Sequence, residues 1–179
     1  MTDHKKYTAY SLTILMVFLM AHFSYSSSNS QTNIATLRGI KGMTIEVEDL
    51  NPMIVKSGLT LTKDQIKTDF ESKLNQAGIA ILSQQEALDK NSPYLDVSLN
   101  AFSPVNLESG SLWVFNITIS LNQLVSLSSN QNILVTVPTW TISRLGMLGD
   151  VKLNEIRDPL KSMMDEFIAD YLTVNPRGK

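Results

Sequence analysis

The chain has 179 residues, a formal net charge of −2, no cysteine, and two histidines that both lie near the amino terminus, His4 and His22. The weak negative charge, with no dense Lys and Arg cluster, argues against a nucleic-acid partner, because phosphate binding needs a concentrated basic surface. Beyond His22 there is neither imidazole nor thiol, which removes most zinc and copper sites, Ser-His-Asp and Cys-His catalysis, thiol redox chemistry and disulfides.

Met1 to Tyr7 carries His4, Lys5 and Lys6, and Ala9 to Ala21 is apolar and uncharged. Ser24-Tyr-Ser-Ser-Ser28 then supplies small residues. A basic start, a short apolar run and small residues form a secretory signal, with cleavage after Ser26 or Ser28. The rival reading is an uncleaved membrane anchor, but the run is shorter than the roughly 20 apolar residues that span a bilayer, which favours cleavage. Residues 1–28 are therefore read as a signal peptide, and the product as an exported, periplasmic or extracellular protein. Loss of Asp3, Lys5 and Lys6 leaves a net charge of −3. Residues 29–41 read as a flexible lead-in, and residues 42–176 as a single domain. That length can bury a real core, and with no disulfide its stability rests on packing.

Met43, Ile45 and Val47 alternate with Thr44, Glu46 and Glu48, the two-residue period of a half-buried strand. Thr62-Lys-Asp-Gln65 is a capping box, and Ile66, Phe70 and Leu74 follow at four-residue spacing until Gly78. Ile79 to Leu82 predicts a strand parallel to the first, and Ser83-Gln-Gln-Glu86 opens a short second helix. Leu95, Val97, Leu99 and Ala101 alternate with polar residues. Trp113, Phe115, Ile117, Ile119 and Leu121 do the same, which predicts the central strand. A turn is expected over Ser126 to Asn132 and the last strand over Ile133 to Ser143, with Pro138 marking an edge or a bulge. Gly146-Met-Leu-Gly149 reads as a turn. Asp150 to Tyr171 predicts a closing helix, either bent near 155–159 or starting at Pro159 with Asp158 as cap; the continuous, bent helix is the preferred form.

The order β-α-β-α-β-β-β-α predicts an α+β two-layer sandwich, a mixed, mostly antiparallel sheet with helices on one face. Glu46, Glu48 and Asp49, like the late-helix Asp165, Glu166 and Asp170, read as solvated carboxylates. No motif for a cofactor or metal stands in the chain, and no catalytic residue is assigned. The sheet's open face is the candidate partner-binding surface. Asn116, Thr118 and Ser120 point there, and Trp140 joins them if the even-numbered residues of the last strand (Leu134, Thr136, Trp140, Ile142) face outward. Small polar residues around an aromatic are a common interface composition.

The stretches Leu37 to Pro52, Leu61 to Phe70, Pro93 to Leu95 and Asp165 to Pro176 resemble a family of small exported bacterial proteins of unassigned role. The element order is similar, more distantly, to the two-layer module of envelope accessory proteins. These are the lipopolysaccharide-assembly lipoprotein, the curli-secretion lipoprotein and the amino-terminal domain of the Tol-Pal propeller protein. The resemblance implies protein-protein or lipid-related accessory work in the periplasm, and the leading expectation is a non-enzymatic domain with a protein partner in the cell envelope. This chain lacks the lipidated cysteine of the lipoproteins. A second expectation, of another class, is a carrier that holds an apolar or lipid-like ligand between helices and sheet.

Overall fold

The computed structural model describes residues 25–26, 29–52, 54, 61–107, 110–149 and 155–176. Their order is β1 (Tyr25–Ser26), α1 (Gln31–Ala35), β2 (Gly42–Val47), α2 (Lys63–Gln76), β3 (Ala80–Ile81), α3 (Gln84–Lys90), β4 (Tyr94–Leu107), β5 (Gly110–Leu127), β6 (Asn130–Gly149) and α4 (Arg157–Val174). From β2 onward this is the predicted α+β order. The strands form one mixed sheet, β1-β6-β5-β4-β2-β3. β2 runs parallel to β3 and β4, and the β4-β5-β6 meander and β1 are antiparallel.

Local chemistry fixes the helices. Thr62 Oγ1 accepts the Gln65 amide at 3.2 Å while Gln65 Oε1 accepts the Thr62 amide at 3.0 Å, so two first-turn donors are satisfied at once. Ser83 and Glu86 repeat the arrangement at the start of α3. Gly78, at φ 73°, turns the chain out of α2 in the left-handed region. The α2 stripe of Ile66, Phe70 and Leu74 is buried against the sheet, as its spacing requires.

One face of the sheet is apolar except for Arg144, which stands opposite Ile117 and pairs with Glu166 of the closing helix. Leu95, Val97, Leu99, Ala101, Trp113, Phe115, Ile117, Ile119 and Leu121 are buried there beneath α2 and α4. α4 adds Leu160, Met163, Met164, Phe167 and Tyr171. Two ion pairs tie the helices together: Arg157 to Asp69 at 2.7 Å, and Lys73 to Asp165.

Several boundaries differ from the sequence reading. Gln31–Ala35 is a helix inside the expected flexible lead-in, because Ser30 caps it and Leu37 is completely buried. Gln123 Nε2 donates to the Thr36 carbonyl at 3.1 Å, and Asn175 Nδ2 to that of Leu37 at 2.8 Å. The packed unit therefore begins before residue 42. β6 continues through Gly146 and Gly149 instead of turning there, because Gly146 gives room to Phe115 opposite it. A Cβ on Gly146 would stand 2.3 Å from the ring. α4 starts at Arg157, which puts Pro159 in the first turn, where its missing N–H costs no hydrogen bond. Ile156, not Asp158, is the cap. Residues 155–156 form a tight 3-10 stretch ahead of the helix, and residues 150–154, where the expected longer helix would begin, lie outside the described part. The signal segment through Ser24 also lies outside the described residues, while Tyr25–Ser26 pairs with Leu145–Arg144 of β6.

Candidate interaction surface

The decisive local feature is a bulge in β6. Leu121 faces Trp140, but Asn122 faces Pro138, so Thr139 is an extra residue without an opposite number. One inserted residue exchanges the faces on either side of it. Leu134 and Thr136 share the outer face with Leu124 and Ser126, whereas Trp140 and Ile142 turn inward opposite Leu121 and Ile119. The expected set of outward even-numbered residues is split in two.

Trp140 is accordingly no surface residue. It is 0% exposed, meets Phe167 edge-on with ring centroids 5.0 Å apart, and donates from Nε1 to Asp170 Oδ2 at 2.9 Å. The late-helix carboxylates keep contact with solvent, as expected, but each also has a partner. Asp170 receives the indole, Glu166 pairs with Arg144, and Asp165 pairs with Lys73. They hold α4 to the sheet and to α2.

Asn116, Thr118 and Ser120 do lie on the outer face, Asn116 exposed and the other two half-buried. The sheet register arranges this face in rows across β4, β5 and β6. Asp96-Ser120-Thr141 is followed by Ser98-Thr118-Ser143, then Asn100-Asn116-Leu145, then Phe102-Val114-Met147. In the first two rows the hydroxyls bond one another: Thr118 Oγ1 to Ser143 Oγ at 3.0 Å, and Ser120 Oγ to Thr141 Oγ1 at 3.1 Å. Asn100 Nδ2 donates to Ser98 Oγ at 3.1 Å, and Ser98 Oγ to Glu48 Oε2 at 2.5 Å. These polar side chains already partner each other, so they form a neutral floor.

The two ends of the floor differ. At one, Glu46 and Asp96 are register partners on β2 and β4, with Glu48 close by. Burial raises the Asp96 carboxyl above its usual pKa, and Glu48 and Glu46 push the same way, against a lowering bond from the Val97 amide. Burial also raises the Tyr94 phenol, with Glu46 and Asp96 adding to it. Among the described residues no group of carboxylates or histidines is arranged to hold a metal ion.

The other end is apolar. Phe102 is 50% exposed and Leu145 51%, with Met147 and Val114 between and beside them. The sequence reading missed this end because it closed β4 at Ala101 and β6 at Ser143. The alternation of Leu145 and Met147 with Gly146 and Leu148 was the available signal, masked by two glycines that resemble a turn.

Between α2 and α4, the gap lined by Leu61, Ile66, Asp69, Phe70, Arg157 and Leu160 measures about 10 Å³, scarcely one water. No described helix is long and apolar enough to cross a membrane.

No protein-family model matches this chain, and no curated protein does. Among solved structures it is similar to a PelC dodecamer from Paraburkholderia phytofirmans, solved as a point variant, at 14% identity, 85% coverage of this chain, 97% of that chain and a TM-score of 0.38. A likeness of that strength supports no statement about function.

Proposed function

We infer that this is an exported, non-enzymatic interaction domain of the cell envelope that binds a protein partner through the outer face of its sheet. The observation that carries the reading is the cluster of exposed Phe102, Leu145 and Met147 around the half-buried Val114, held in register at the end of a neutral floor that includes Asn116 and Thr118. Apolar anchors beside small polar groups that exclude water are the usual anatomy of a contact surface. Phe102 and Leu145 take the anchoring role that the buried Trp140 cannot fill. The carrier reading has less behind it, since no feature of comparable definition among the described residues points to an apolar ligand.

Photocrosslinking in living cells tests this. A photoreactive residue at position 102 or 145 should give an adduct of one discrete mass, and the same residue at the exposed Leu88 of α3 should not. Phe102→Ala with Leu145→Ser should abolish capture without lowering the melting temperature. Absence of any adduct, together with lipid recovered on extraction of the native protein, replaces the interaction domain with the carrier.

A further inference from the structure

The long hairpin of β5 and β6 runs past the rest of the sheet. β4 follows β5 only as far as Tyr94 opposite Asn122, and β1 touches β6 only at Arg144 and Leu145. Beyond Asn122 and Pro138, β5 and β6 pair with each other alone among the described residues. Gln123–Leu127 and Ile133–Val137 thus form a two-stranded ribbon with both outer edges unpaired.

This ribbon has an unusual composition. From Ser109 to Ser143 the sequence holds no Asp, Glu, Lys or Arg. Leu124 and Leu134, 40% and 58% exposed, lie on one face of the ribbon, and Val125, Val135 and Val137 on the other. Leu127 and Ile133 stand exposed near the turn. Proteins ordinarily protect a free edge with charge, a covering element or shortness. Here apolar side chains stand on both faces, interspersed only with the neutral Gln123, Ser126 and Thr136, and among the described residues no charge guards either edge.

We propose that this ribbon is a self-association element, in which the β5 edge of one copy pairs antiparallel with the β6 edge of a second. Three features select that occupant. A bilayer would accept the leucines but leave the edge amides and carbonyls unpaired in hydrocarbon, which is strongly unfavourable. A single foreign strand would satisfy one edge and leave the other open. A second copy presents both edges, running in opposite directions, with the same uncharged β-branched and leucine side chains, so one type of contact can satisfy each edge in turn.

The test is sedimentation of the full exported chain across a dilution series, combined with amide exchange along the ribbon. The wild type should associate, with amides in 123–127 and 133–137 protected at high concentration and released on dilution. Leu124→Lys with Leu134→Lys should weaken association by about tenfold or more at unchanged melting temperature, and Leu88→Lys should leave it as it was. The proposal is overturned if the wild type stays monomeric throughout, or if it associates without ribbon protection. Association of the double lysine variant at wild-type strength overturns it too. A monomer that partitions onto neutral phosphatidylcholine vesicles through the ribbon assigns it to lipid instead.

Discussion

At Trp140 a single residue of insertion decides between surface and core. Alternation along β6, counted without a break, puts Leu134, Thr136, Trp140 and Ile142 on one face. The unpaired Thr139 moves the last two to the other. Pro138 signalled that the ladder was irregular, but nothing in the local sequence said which neighbour carried the extra residue. Buried as it is, with Phe167 against its ring and Asp170 on its nitrogen, Trp140 is a stability residue. Trp140→Ala should lower unfolding stability by about 3–5 kcal/mol in urea titration, through the cavity and the donor lost to Asp170. A loss of partner capture in a variant as stable as the wild type would contradict that packing. Asp96 offers the opposite case, a side chain that costs stability. Its carboxyl is held above the usual pKa by burial and then by Glu48 and Glu46. Such a group destabilises the fold wherever the unfolded chain is ionised, and the cost disappears below the unfolded value of about 3.9. Asp96→Asn should therefore raise the melting temperature at neutral pH, and the gain should shrink as the pH falls from the raised native value toward about 3.9 and be gone below it. A variant less stable than wild type at neutral pH would mean that the carboxylate has a favourable partner.

Helices were the more legible elements, because their signals are local. Thr62 with Gln65 and Ser83 with Glu86 are sufficient to place two helix starts, and the structure makes both reciprocal caps. The strand faces of β2, β4 and β5 follow from alternation alone, since each buries one side against α2 and α4. Strand ends were less legible, because a strand stops where its neighbour stops and that is a tertiary fact. Gly146 illustrates the difficulty. In sequence, two glycines three apart suggest a turn; in the sheet, the missing side chain is what lets the Phe115 ring lie across β6. The same error hid Leu145 and Met147, and with them the apolar end of the outer face. The β5–β6 ribbon shows the reverse: its lack of charge is plain in the sequence, but only the register shows that it runs beyond its neighbours.

For the whole molecule, the order of elements and the two-layer arrangement could be read in advance, whereas the start of the folded unit could not. Residues 29–41 look like a spacer because they are polar and lack a period. Their role depends on side chains more than eighty residues away, which no local pattern records. Leu37 fills the core, Tyr171 donates to the Ile40 carbonyl at 2.5 Å, and Asn175 both accepts the Gly39 amide at 2.7 Å and donates to Leu37. The segment thus secures the carboxyl end of α4, whose last turn has no basic side chain to meet its free carbonyls. β1 is different in kind, two residues paired with the side of β6. A chain beginning at Asn29 keeps every contact of α1 and of residues 36–40, and should unfold cooperatively within a few degrees of a chain beginning at Ser24. A chain beginning at Gly42 loses a fully buried leucine and the bonds that fasten α4. Removing the leucine side chain alone costs about 2–5 kcal/mol, a large share of the about 5–15 kcal/mol that holds a domain together. Thermal unfolding by circular dichroism should separate the two truncations clearly. Equal melting temperatures for the chains starting at Asn29 and Gly42 would show that the lead-in is a spacer after all, and that the fold is complete from β2.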